Sequence, residues 1–188
     1  DVDWHGQQEK DLWPILRIVR GFSNVLWERE KEALRNKEQL TEDEIAVMNA
    51  HFANMISCIG RLCFRSWEGM KHIAPYLLED NIADEKQAAG GSGKSVLVNT
   101  VVGSAVNVFA VDMKGYLVIT DAKFALTDLL IYPGKYRVVH WEDKQKSFPM
   151  KYFYNKVTQG TKVEKKFGDP VGLKMDDSPI HVITSNSP

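Results

Sequence analysis

The chain has 188 residues, 44% of them apolar, which is enough to fill a sizeable core. No apolar run approaches the roughly 18 residues of a membrane-spanning helix. The formal net charge is −1, so a nucleic-acid or membrane partner has to be recognised through local charge and not through the global balance.

The opening stretch, "DVDWHGQQEKDLWP", is acidic and polar and does not read as a secretory signal. From about residue 10 to 80 the pattern is helical. "DLWPILRIVRGFSNVLWEREKEALRNK" carries a helix with an expected break near Gly21, and its mixed charges read as a solvated face. Thr41, with Glu44 three residues on, makes a capping box, and Leu40 and Ile45 are placed for a hydrophobic staple. Ile45, Met48, Phe52, Met55, Ile56, Ile59, Leu62 and Cys63 then recur at helical spacing. Cys58 and Cys63 read as reduced core thiols. The polar stretch 79–89, "EDNIADEKQAA", reads as the boundary between a helical region, 1–80, and a second domain, 81–188.

Beyond residue 90 the texture changes. "VNVFAVD" (106–112), "YRVVHWED" (136–143) and "IHVITSN" (180–186) read as strands, with helices expected at 94–104 and about 148–159. Strands alternating with helices predict a mainly parallel sheet with helical cover, and so an α/β fold class.

The stretch "AGGSGKS" (89–95) carries the first chemistry. Phosphate binding needs backbone N–H groups turned inward around an anion, and glycines allow that wrap. Gly90, Gly91 and Gly93, with Ser92 between, supply the wrap. Lys94 supplies the charge for outer phosphates, and Ser95 a hydroxyl for Mg²⁺. Ala88 stands where the usual pattern has its first glycine, and the competing reading is a linker that happens to contain Gly-Lys-Ser. Glu142 and Asp143 end the strand "RVVHWED", 48 and 49 residues beyond Lys94. Carboxylates there can hold Mg²⁺ through water and orient an attacking water, or they can simply form an acidic turn. Asn186 ends "HVITSN" and is placed to bond a γ-phosphate or the attacking water, with a turn-forming asparagine as the plainer alternative.

Taken in order, the glycine loop, "VVHWEDK", "KVTQGTKVEKKF" and "SPIHVITSN" resemble motifs A, B, B′ and C of the superfamily 3 helicases, over roughly residues 84–188. The resemblance implies an AAA+-like P-loop core preceded by a helical oligomerisation region. It implies subunits in a ring, usually a hexamer, around single- or double-stranded DNA, with ATP between neighbours. Carried over by position, Gly90 to Gly93 wrap the nucleotide, Lys94 contacts its β/γ-phosphates, and Ser95 and Glu142 hold Mg²⁺. Glu142 and Asp143 form the Walker B pair, and Asn186 is the polar sensor. Motif B′ in this family extends into a DNA-gripping hairpin. Here Lys156 to Lys174 holds five lysines against Glu164 and Asp169, so Lys162, Lys165, Lys166 and Lys174 become the expected DNA contacts. Phe167, near the turn, is placed either to stack on a base or to join the core. The family's arginine finger normally lies beyond motif C, so the resemblance implies either a core that continues past residue 188 or a chain that does not hydrolyse ATP in the family's usual manner, and the first is the expectation.

The expected activity is that of an ATP-driven replicative DNA helicase of a virus, phage or plasmid-like element, working in cytoplasm or nucleus. Two alternatives stay open: a P-loop ATPase motor without DNA contact, and a non-catalytic oligomerisation or DNA-binding module. His51, His72, His140 and His181 are scattered and show no metal-ligand spacing with the cysteines.

Overall fold

The computed structural model describes residues 14–63, 74–78, 93–173 and 177–186. The chain divides into two compact units between Arg61 and Leu62. The first carries α1 (Pro14–Ser23), α2 (Trp27–Asn36) and all but the last two residues of α3 (Glu42–Cys63). Gly21 does not break α1. The break falls at Asn24, whose side-chain oxygen accepts the Leu26 N–H at 3.0 Å while its amide donates to Glu30 at 2.6 Å. An asparagine that bonds the backbone two residues on offers a turn in place of another helical step. α2 ends at Lys37, in the left-handed region at φ 56°, and the backbone there returns its N–H groups to Ala33 and Leu34. The expected capping box starts α3: Glu44 N–H donates to Thr41 Oγ1 at 3.2 Å, and Thr41 N–H to the Glu44 carboxylate at 2.8 Å. Met48 and Phe52, from the apolar stripe, are buried.

The second unit is built on a four-stranded, all-parallel sheet. Its strands are β1 (Tyr76–Leu78), β2 (Val108–Asp112), β3 (Val138–Glu142) and β6 (Ile180–Ser185), in the order β1-β6-β3-β2. The short β1 was not legible beside Pro75. It pairs with β6, setting Tyr76 opposite Ile183 and Leu78 opposite Ser185. A short helix α4 (Lys94–Val96) runs on into a π-helical turn, Leu97–Val102, ahead of β2. A second helix, α5 (Lys151–Thr158), follows β3.

Both faces of the sheet are covered, so its central strands read as apolar runs without polar alternation. Val138, Val139, His140 and Trp141 of β3 are all buried. On one face Val139, Trp141 and Ile183 join Val111, Phe148 and Phe153 in the main core. Trp141 meets the rings of Tyr152 and Phe153 edge to face, with centroids 5.5 and 5.3 Å away. The other face presents His140, Val182 and Thr184, and the buried Leu97, Val98, Val101 and Val102 of the π turn belong to this layer. Gly103 closes that turn. A β-carbon there would press into the Asn99 carbonyl oxygen, well inside van der Waals contact, so this position admits only glycine without a backbone shift.

A two-stranded antiparallel hairpin, β4 (Lys162–Val163) with β5 (Val171–Gly172), forms in this stretch, but its loop spans 164–170 and the last two residues of "GDPVG" belong to β5 instead of the turn. Gly168 takes φ 124° in its loop, a conformation other residues rarely adopt. Among the described residues, no helix is long and apolar enough to cross a membrane.

Candidate functional site at the carboxyl edge of the sheet

In an open parallel sheet, ligands bind in the crevice outside the carboxyl ends of the strands, where the strand order reverses. The carboxyl ends here are Leu78, Asp112, Glu142 and Ser185. β6 lies between β1 and β3, so the strand leading to Asn186 separates the strand that precedes the glycine loop from the strand that ends at Glu142.

Asp143 is the hub of this edge. It leaves β3 in the left-handed region at φ 54°, which an aspartate tolerates better than most residues. Its Oδ1 lies 3.5 Å from the Asn186 amide, and its Oδ2 lies 3.3 Å from the Lys114 ammonium, just beyond β2. Its N–H is 3.3 Å from Thr184 Oγ1 on β6. Glu142, half-buried, is held through its backbone, whose carbonyl accepts the Met113 N–H at 2.8 Å. Asp112 lies opposite Glu142 in register and accepts the Lys114 N–H at 2.9 Å. Asp112 and Lys114 therefore belong to the candidate site. The sequence signal for Asp112 was an acid closing "VNVFAVD", the same signal as at Glu142 one strand over.

A chain of hydrogen bonds, buried at His140 and Thr184, ties this edge to the π turn that continues α4. His140 Nδ1 is 2.8 Å from Asn99 Oδ1 and its Nε2 is 3.0 Å from Thr184 Oγ1. With the Asn99 oxygen as acceptor, Nδ1 carries the proton. The Thr184 hydroxyl then donates to Nε2 while accepting from Asp143 N–H. Burial holds the imidazole below its ordinary pKa, against the pull of the nearby Glu142 and Asp143 charges, so the ring is neutral at pH 7. The helix that begins at Lys94 is thus fastened to the two strands that carry Asp143 and Asn186. His140 and Asn99 were not read as part of a site, because a histidine inside an apolar strand reads as packing.

Gly93 caps α4 at φ 79°, in the left-handed region, and its carbonyl accepts the Leu97 N–H at 2.9 Å. Lys94 and Ser95 form the first turn, both half-buried. Gly90, Gly91 and Ser92 lie outside the described residues, as does Lys174. The structure brings Asp143 and Asn186 within contact of one another and sets Glu142 on the same edge. Lys162, Lys165 and Lys166 lie instead on the β4–β5 hairpin and are exposed. Phe167 is 87% exposed at the hairpin loop, which removes it from the core.

Among the described residues, no group of three or more histidine, cysteine, aspartate or glutamate side chains could hold a metal unaided. The donors present, one hydroxyl at Ser95 and the carboxylates of Glu142, Asp143 and Asp112, suit Mg²⁺. That ion takes one or two protein oxygens and fills its octahedron with water and phosphate oxygens.

No protein-family model matches the chain, and no curated protein is similar enough to stand as a relative.

Proposed function

We propose that the chain binds and hydrolyses ATP at the carboxyl edge of its parallel sheet, as the motor core of a DNA translocase of the superfamily 3 helicase kind. The observation that carries this reading is the strand order: β6, with Asn186 at its end and 3.5 Å from Asp143, separates β1 from β3. An attacking water and a γ-phosphate need an acid and a polar amide on neighbouring strands, next to a loop that holds the phosphates. The glycine-capped start of α4 supports the same reading, because it presents Lys94 and Ser95 immediately after the loop.

In this account the wrap of Gly90 to Gly93 and the Lys94 ammonium hold the β- and γ-phosphates. Ser95 and Glu142 would hold Mg²⁺, which when bound supplies charge neutralisation of the phosphate oxygens. Asp143 orients the attacking water, and Asn186 positions it against the γ-phosphate. Lys114, with its ammonium 3.3 Å from Asp143 Oδ2, helps to fix the position of that carboxylate. The exposed hairpin lysines Lys162, Lys165 and Lys166 supply sequence-independent contacts to a DNA backbone, and Phe167 a ring for stacking. Repetition of the hairpin around a ring multiplies weak contacts.

The test is ATP turnover with and without single-stranded DNA. The wild type is expected to be stimulated by DNA. The Lys165→Glu/Lys166→Glu protein should keep its basal turnover and lose the stimulation. Stimulation that survives both reversals overturns the DNA contact and leaves a P-loop motor without it.

A further inference from the structure

A solvent-open pocket that shares no residue with the carboxyl edge has a volume of ≈ 550 Å³ and is lined by the segment 119–123, α5 and the start of the hairpin. Its lining holds four lysines, Lys123, Lys151, Lys156 and Lys162, against one acid, Glu164. The lining therefore carries three more positive than negative groups, a local surplus that attracts anions. Lys156 is the least exposed of the four. It is half-buried, its ammonium donates to the Lys162 carbonyl at 3.2 Å, and it lies 4.7 Å from the centre of the Tyr152 ring. Those contacts leave donor capacity unused on a group with three N–H bonds. Burial pushes its pKa down to about 8 despite the neighbouring Glu164 carboxylate.

The shape narrows the choice of anion. The volume lies within the ~300–1,000 Å³ of small-molecule sites and far exceeds what an inorganic anion fills. Tyr152 offers a rigid aromatic wall: its hydroxyl donates to the Ala122 carbonyl at 3.0 Å, and its ring packs edge-on against Trp141 and Phe148. Asn155 and Gln159 add side-chain amides, which pair with the donor and acceptor edges of a base. A phosphate monoester carries close to two negative charges at neutral pH, which fits the surplus of lysines.

We propose that this cavity binds a nucleoside phosphate, either free or as one unit of a single strand, with Lys123, Lys151, Lys156 and Lys162 around the phosphate and Tyr152 beside the base. The pocket is continuous with the hairpin through Lys162, so a strand lying on Lys165 and Lys166 has a route into it. The inference does not rest on the ATP site.

The experiment keeps the two apart by using the Lys94→Ala protein throughout. 5′-dAMP, deoxyadenosine and a ten-nucleotide oligo-dT are titrated into it, with and without Lys123→Glu and Lys151→Glu. Both lysines are exposed, and a Lys123→Gln/Lys151→Gln pair with a thermal melt controls for folding. The expected result is saturable dAMP binding that weakens at least about tenfold in the reversed protein, with deoxyadenosine binding at least about tenfold more weakly than dAMP. If only the oligonucleotide shows this loss, the strand is the source of the phosphate and the assignment holds in that form. If neither ligand binds, or if binding is indifferent to the lysine reversals, the assignment is overturned.

Discussion

Two histidines occupy equivalent-looking places in apolar strands and do different things. His140 fastens α4 to β6, whereas His181 holds the core. Trp141 Nε1 donates to His181 Nδ1 at 3.0 Å, and an indole N–H can only donate, so the proton must be on Nε2, which faces Thr161 Oγ1 at 2.9 Å. Burial, reinforced by the nearby Lys156 charge, lowers the His181 pKa to about 3. The folded state therefore binds fewer protons than the unfolded state between about 3 and the ordinary 6.5, and stability falls as pH drops through that window. Thermal melts from pH 7 to 4 are expected to show this loss, and His181→Gln, less stable at pH 7, should show a shallower pH slope. An equal slope in both proteins would assign the acid sensitivity elsewhere. At the carboxyl edge, Asn186→Ala is expected to lower kcat at least about tenfold with little change in KM, because Asn186 is cast as a positioner of the attacking water and not as a binder of ATP. A rise in KM at constant kcat would contradict that role.

At the scale of elements, the signals that were legible are those with a short-range mechanism. The Thr41–Glu44 box is reciprocal and local, and it forms as read. Thr41→Ala is expected to cost about 1 kcal/mol, checked by denaturant titration of the purified protein. β3 and β6 were legible because residues buried on both faces leave a continuous apolar run, and the edge strand β2 from its β-branched and aromatic residues. A hairpin was legible from the turn residues Gly168, Asp169 and Pro170, but not its ends, since Val171 and Gly172 pair as β5. What the sequence did not reveal depends on long-range pairing. β1 has three residues and a proline beside it, so only its partner β6 makes it a strand. The helix break moved from Gly21 to Asn24 because a side-chain hydrogen bond decided it, and propensity alone ranks glycine first. The π turn at Leu97–Val102 depends on the fit of Gly103 against Asn99 and has no periodic signature.

For the whole molecule, the mixed α/β architecture, with N-terminal helices and a parallel sheet, agrees with the fold class read from alternation of strands and helices. Of the candidate site, Glu142, Asp143 and Asn186 were legible as polar residues closing apolar strands. Their convergence required the strand order, which sequence spacing does not contain. Asp112, Lys114 and the His140 link became visible only once β2, β3 and β6 were laid side by side. The central claim is that a triphosphate is held between the start of α4 and the acids that end β3. Its most direct test is calorimetric titration of a non-hydrolysable ATP analogue into the wild type and Lys94→Ala, with and without Mg²⁺. The account predicts Mg²⁺-dependent binding by the wild type, weakened at least about tenfold by the substitution. Equal affinity in the two proteins, unaffected by Mg²⁺, would contradict it.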